Sequence, residues 1–272
     1  MKRVARNLVF SLVTAALILG GAELFLSLAS EPSLYIDEHA PVWQLRPGIE
    51  RSVTFVERGA EFQVRTNSRG WRGEEPSAGG LLCLGDSTTF GWGVAEDEAW
   101  PAQVPGAINA GVPGYSTHQG LARLEHALEV KPARVLLAFL VRDAELAVMP
   151  DHERPVTAAP PSLELLRALR SLRAPPQQAG TVPRVPAERY AQNLRALIEG
   201  IRAAGAEPLL LAFPMVDRPE AHIDALVRVS EEQGVPLLQP QLEGSDFFAE
   251  DPIHLTPEGN ARLAAEVAAW LG

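Results

Sequence analysis

The residues Leu81-Leu82-Cys83-Leu84 run straight into Gly85-Asp86-Ser87-Thr88-Thr89. A serine on a sharp glycine turn, where a strand passes into a helix, has its hydroxyl exposed. The N–H groups and positive dipole end of that helix can receive a developing oxyanion. A serine hydroxyl is a poor nucleophile without a base, and imidazole is the usual one. Far along the chain, Asp251-Pro252-Ile253-His254 supplies a histidine and an acid three residues before it. In a loop held by Pro252, that acid can turn back on the imidazole and fix its tautomer. A third piece, Asn109-Ala110-Gly111-Val112-Pro113-Gly114-Tyr115, carries Gly111. With no side chain in the way, the Gly111 N–H can approach a reacting carbonyl. Each piece alone has a plain explanation as a helix cap, a solvated loop or a strand-to-helix turn. Together they shift the balance to catalysis by an activated serine, provided one scaffold brings them to the same edge.

That scaffold is legible from Leu81 onward. Short apolar runs at Leu81–Leu84, Ala107–Ala110, Val135–Val141, Pro208–Phe213 and Val235–Leu238 have the length of buried parallel strands. Amphipathic stretches lie between them. Leu121, Leu124 and Leu128 mark one; Tyr190, Leu194, Leu197, Ile198 and Ile201 mark a second, stopped by Gly205. Ile223, Leu226 and Val227 mark a third, stopped by Gly234. Leu263, Val267, Trp270 and Leu271 mark the last, opened by Thr256 and Pro257. Strand and helix alternating five times predict an α/β three-layer sandwich around a five-stranded parallel sheet. The main α/β domain is expected over 79–272. Residues 150–186 interrupt it with eight prolines and a short basic amphipathic stretch, Ser162–Arg170, which reads as an insertion on the rim of the sheet. Residues 31–78 read as a β-rich extension. In it Val53 and Phe55 alternate towards Phe62 and Val64 across Glu57-Arg58-Gly59-Ala60, a hairpin pattern.

Residues 1–30 stand apart. Lys2, Arg3 and Arg6 precede an apolar run over residues 8–29 that is broken by Glu23. Positive charge before such a run marks an amino-terminal membrane anchor or an export signal. An uncleaved anchor is the expectation, with a membrane-anchored or secreted product whose main body lies outside the cytoplasm.

The whole chain of 272 residues is 46% apolar, which rules out wholesale disorder. Lysine and arginine number 24 against 34 acids, net −10, with no long basic stretch, so nucleic acid is not an expected partner. The single cysteine, Cys83, excludes a disulfide framework and any multi-cysteine metal site.

In order and spacing, Gly85-Asp86-Ser87, the Gly111 turn and Asp251-Pro252-Ile253-His254 resemble three of the four blocks of the SGNH, or GDSL-type, hydrolases. The flanking residues Phe90–Val94 and His254–Asn260 fit as well. Thr66-Asn67-Ser68-Arg69-Gly70-Trp71-Arg72-Gly73 looks like the lead-in of membrane-anchored bacterial members. The resemblance runs from about Asn67 to the end. It implies a flavodoxin-like strand order 2-1-3-4-5 and ester hydrolysis with no metal or organic cofactor. Ser87 would be the nucleophile, His254 the base and Asp251 its orienter, with the N–H groups of Ser87 and Gly111 donating to the oxyanion. The family's third block carries an oxyanion-donating asparagine followed by aspartate. Here Arg142-Asp143 occupies that place. A guanidinium can donate, but it is longer and its fork can pair with an acid such as Asp143.

The expected activity is therefore an exported serine esterase, acting on an acyl group, acetyl above all, of a cell-envelope glycan or a lipid. An O-acetyltransferase would use the same acyl-serine, and a degenerate glycan-binding or scaffold protein would fit the altered third block. His118, His126, His152 and His222 lack ligand spacing, and Trp92 and Trp100 read as core.

Overall fold

The computed structural model describes residues 2–29, 33–40, 42–155, 157–158, 180–215 and 219–272. Five parallel strands form the central sheet: β1 (Leu81–Gly85), β2 (Ala107–Gly111), β3 (Arg134–Ala138), β4 (Glu207–Leu211) and β5 (Leu237–Leu238). Their spatial order is β5-β4-β3-β1-β2, the 2-1-3-4-5 arrangement that the resemblance implied. In such an order the chain reverses direction across the sheet between β1 and β3, where crossovers on opposite faces leave a crevice at the carboxyl ends.

The strands are apolar throughout because both faces are covered, and their period of two divides the core. Leu82, Leu84, Val135, Leu137 and Leu210 face one layer, with the helices Ala187–Ala203 and Glu220–Gln233. Leu81, Cys83, Leu136, Ala138, Leu209 and Leu211 face the other, with Trp100 and the closing helix Pro257–Leu271. Gly234, with φ +58°, ends one helix, and Thr256 opens the last by accepting the Gly259 N–H at 3.1 Å.

Two predicted elements differ in detail. The run Val135–Val141 is not one strand. It leaves the sheet at Ala138, Leu140 turns out of the β region (φ −165°, ψ −51°), and Val141–Ala144 forms one helical turn. Arg142 thus sits on that turn and not at a strand end. The period marked by Leu121, Leu124 and Leu128 is two short helices, Thr117–Ala122 and Leu124–Leu128, parted at Arg123.

The β-rich extension folds as its turn signals imply. Glu50–Phe55 pairs with Ala60–Arg65 in register Val53↔Phe62, and Gly59 (φ +59°) supplies the left-handed residue that closes the turn. Tyr35–Ala40 pairs with Val42–Leu45 on one side and Thr157–Ala158 on the other. Leu34, Leu45, Ile49, Phe55, Phe62, Val64 and Trp71 join the core on the Leu82 side of the sheet, so extension and sheet share one apolar cluster. The amphipathic stretch Ser162–Arg170 lies outside the described residues. At the amino end a helix spans Lys2–Ala29, and its segment Val9–Ala29 is long and apolar enough to cross a bilayer, with none of it buried against the rest of the chain.

Candidate active site

Asp86 ends β1 and caps the four-residue helix Ser87–Phe90. One carboxylate oxygen, Oδ1, accepts both the Thr88 N–H (2.8 Å) and the Thr88 hydroxyl (2.7 Å). Asp86 is thereby a support of the turn. Trp100, fully buried, braces it from below by donating its indole N–H to the Thr88 carbonyl at 3.2 Å. Gly85 and Gly111 lie side by side where β1 and β2 end. A Cβ on Gly111 would run into the backbone at Thr89–Phe90. The glycine is there so that strand and nucleophile helix can touch.

The strand Asp251–Leu255 brings the far end of the chain back to this helix. The Ser87 hydroxyl lies 2.8 Å from His254 Nε2, and His254 Nδ1 lies 2.5 Å from Asp251 Oδ2. The second Asp251 oxygen accepts the Ile253 N–H at 2.9 Å, which fixes the carboxylate plane. With Nδ1–H donated to Asp251, the Nε2 lone pair faces the serine hydroxyl, the tautomer that proton removal requires. All three side chains are buried: Ser87 is 2% exposed, His254 6% and Asp251 7%. Burial pulls the Asp251 carboxyl upward, but the hydrogen bond and charge of His254 outweigh it and hold Asp251 below the usual carboxylate range. The sequence pieces 167 positions apart therefore meet in one hydrogen-bonded chain.

The oxyanion side departs from expectation in two places. The Gly111 N–H donates to the Asn109 side chain at 3.1 Å, so it has no free hydrogen for a substrate. In the same turn Val112 donates to the Gly85 carbonyl and Tyr115 to the Val112 carbonyl, while Pro113 has no N–H. That leaves the N–H of Gly114 (φ +85°) without an acceptor among the described residues, as is the N–H of Ser87. Arg142 does not pair with Asp143. Its Nη1 donates to Glu145 at 3.0 Å, and its Nε is buried with no acceptor. Asp143 is instead fully buried against Thr117, whose N–H and hydroxyl both donate to it; burial, with Asp86 nearby, pushes the Asp143 carboxyl up to about 7. Glu145 in turn accepts from Arg184 (3.3 Å), and Arg184 is tied to buried Asp151 at 2.9 Å. Spacing carries no signal for Glu145, which precedes the proline-rich insertion, or for Arg184, which lies near its end.

Beside Gly114 an open cleft of about 520 Å³ is lined by Trp43, Glu145, Leu146, Arg154 and Arg184. Trp43 comes from the extension, its indole N–H on the Pro113 carbonyl at 3.3 Å and its ring edge-on to Tyr115. Trp100 is core as expected, and Trp92 packs between Phe62 and Phe90. His222 is buried and bonded to the Val185 carbonyl. Among the described residues no cluster of three metal-binding side chains occurs.

A parallel sheet of this order, with a serine, an imidazole and a carboxylate linked at its carboxyl edge, is the framework of an acyl-transferring hydrolase. The model of the GDSL-like lipase/acylhydrolase family matches residues 83–262, and the chain belongs to that family. It is 27% identical over 190 residues to the thioesterase 1/protease 1/lysophospholipase L1 of Escherichia coli K12, covering 65% of this chain and 70% of that relative. The crystal structure of TesA superposes with a TM-score of 0.51 at 23% identity, over 70% of this chain and 97% of TesA. An acetylxylan esterase from Geobacillus stearothermophilus, Axe2, superposes at 0.50 with 16% identity, over 74% of this chain and 97% of Axe2. The chain is an ester hydrolase of this family. The family match begins at Cys83, so the whole extension lies outside it.

Proposed function

We propose that the chain is an exported, membrane-tethered serine esterase that removes short acyl groups, acetyl above all, from a cell-envelope glycan. The observation that carries the catalytic reading is the Ser87–His254–Asp251 chain of hydrogen bonds. Ser87 Oγ attacks the ester carbonyl while its proton passes to His254 Nε2. Asp251 stabilises the imidazolium without taking its proton. The alcohol leaves with that proton, and water, activated by the same imidazole, releases the acid. The oxyanion is received by the N–H groups of Ser87 and Gly114, with the unspent Arg142 Nε as third donor in place of an asparagine amide. Gly114 replaces Gly111 in this reading because its N–H is unspent.

The tether reading rests on Lys2, Arg3 and Arg6 before the apolar segment Val9–Ala29. A reporter fused after Gly272 should be active only outside the cytoplasm, and the protein should stay with membranes after a carbonate wash. Release of a shortened soluble chain would overturn the anchor. The glycan reading rests on Trp43, a half-buried aromatic held rigid in a cleft whose other walls include Glu145, Arg154 and Arg184. Such a surface offers a flat apolar face and polar groups at its rim. Labelling the full chain with a serine-directed fluorophosphonate tests the core of the proposal. Wild type should label and cleave a short activated acyl ester, and Ser87→Ala should do neither. A wild-type chain that takes no label would overturn the assignment of Ser87 as nucleophile.

A further inference from the structure

The extension lies outside the family-matched segment, yet it reaches both working ends of the site. Phe55, on the hairpin Glu50–Arg65, is 1% exposed and stands perpendicular to the His254 ring, centroids 5.7 Å apart and planes at 89°. Its other side meets Phe248 at 5.6 Å. Phe248 belongs to the short strand paired with Asp251–Leu255. Gly93, just beyond the nucleophile helix, sits against both phenyl rings with no room for a side chain. At the hairpin tip Arg58 lies 4.0 Å above the Phe248 ring and 4.0 Å from Glu250. The imidazole is thus held between Asp251, Ser87 and a phenyl wall that the extension supplies.

The second contact is on the serine side. Arg72 is 3% exposed. Its guanidinium donates to the carbonyls of Phe90 (2.9 Å) and Gly91 (2.5 Å) at the end of the nucleophile helix, and to Val94 (2.6 Å) and Gln63 (3.1 Å). Three carbonyls at the end and exit of this one-turn helix, and one on the hairpin, are gathered by one planar fork. Among the described residues no carboxylate bonds to it. Burial lowers its pKa to about 10, against the opposing charges of Glu96, Asp97 and Glu98. A cation is thus kept desolvated at the negative end of the helix that presents Ser87.

We infer that Phe55 and Arg72 are positioning residues for the hydrolytic reaction: the extension is a built-in part of the active site that seats the base from one side and the nucleophile helix from the other. The inference rests on the reading of Ser87 and His254 as nucleophile and base. Neither Phe55 nor Arg72 touches the reacting atoms, so each acts through the side chain or helix it holds.

The test uses the full chain in detergent, with unfolded material removed by size exclusion and the melting temperature recorded for each variant. Phe55→Leu and Arg72→Lys are compared with Val64→Ala, a fully buried change in the same hairpin that faces the shared core. The expected result is a fall in kcat of about ten- to a hundredfold for Phe55→Leu and Arg72→Lys, with KM and substrate range unchanged, since small misplacements cost that much. The rate of fluorophosphonate labelling should fall in parallel. Val64→Ala should lower the melting temperature and leave kcat alone. If Phe55→Leu does not fold, Phe55→Met, longer and more adaptable in a gap left by a ring, takes its place. Equal kcat and labelling rate in Phe55→Leu, Arg72→Lys and Val64→Ala would overturn the positioning role and leave the extension a packing element. If Ser87→Ala keeps wild-type turnover, the catalytic reading beneath the inference fails first, and the two failures are told apart.

Discussion

The site has two halves that are built differently. On one side Ser87, His254 and Asp251 are buried, bonded in sequence and walled by Phe55, Trp100 and the core. On the other side Gly114, which lines an open cleft, and Arg142 each carry a hydrogen-bond donor that nothing in the described structure accepts. The closed half is preorganised for proton transfer before any substrate arrives. In the proposed reading the open half keeps its donors for a charge that exists only during reaction, which is where binding energy raises turnover. On that reading Arg142 belongs to the half that meets the substrate, and the half that moves the proton does not depend on it.

Breaking the closed half should cost most. Ser87→Ala and His254→Ala should each lower kcat by about a millionfold, because nucleophile and base act as a unit; steady-state turnover of an activated ester checks this. Asp251→Ala should cost less, about ten-thousandfold, since the imidazole loses its orienting partner but not its basicity. An Asp251→Ala enzyme as dead as Ser87→Ala would show that Asp251 also holds the strand that carries His254.

The open half should respond differently. Arg142→Ala should reduce kcat by about a hundred- to a thousandfold with KM little changed, and Arg142→Asn should restore turnover by rebuilding an amide donor. If both changes raise KM for anionic esters and not neutral ones, Arg142 binds substrate charge. If they lower the melting temperature more than activity, the Glu145 ion pair and the loop it holds are its role. An Arg142→Ala enzyme unchanged in every measurement would show that backbone donors suffice.

The smallest effect concerns the wall behind the arginine. A carboxyl raised to about 7 in the folded state binds its proton more tightly there than in the unfolded chain, where its pKa is about 3.9. Between about pH 4 and pH 7 the folded state therefore holds the extra proton, and stability falls as pH rises through that window. Asp143→Asn should flatten this part of the stability profile while keeping an acceptor for Thr117. Denaturant midpoints measured from pH 4 to pH 8 give the answer, and an unchanged slope would mean that the Thr117 hydrogen bonds keep Asp143 ionised.

Much of the closed half was legible in the sequence because its determinants are local. An apolar strand, a glycine turn and a capping aspartate fix where Ser87 stands, and three residues of spacing fix how Asp251 meets His254. The alternation of short apolar runs with amphipathic periods determined the layered α/β architecture, since each period states which face must be buried. The tertiary structure alone decided what depends on neighbours distant in the chain. The sequence pointed to Gly111, and only the position of the Asn109 side chain takes up that N–H and leaves the Gly114 N–H in its place. Asp143 follows Arg142 directly, yet folding gives it to Thr117 and gives Arg142 to Glu145. In sequence Phe55 reads only as a hairpin position and Arg72 only as part of the family-like lead-in, because a rotamer's reach across 199 or 18 positions leaves no period or spacing to detect. Sequence patterns record which surfaces are buried; which polar atom meets which is settled when those surfaces close, because hydrogen bonds depend on directions and distances that no local pattern encodes.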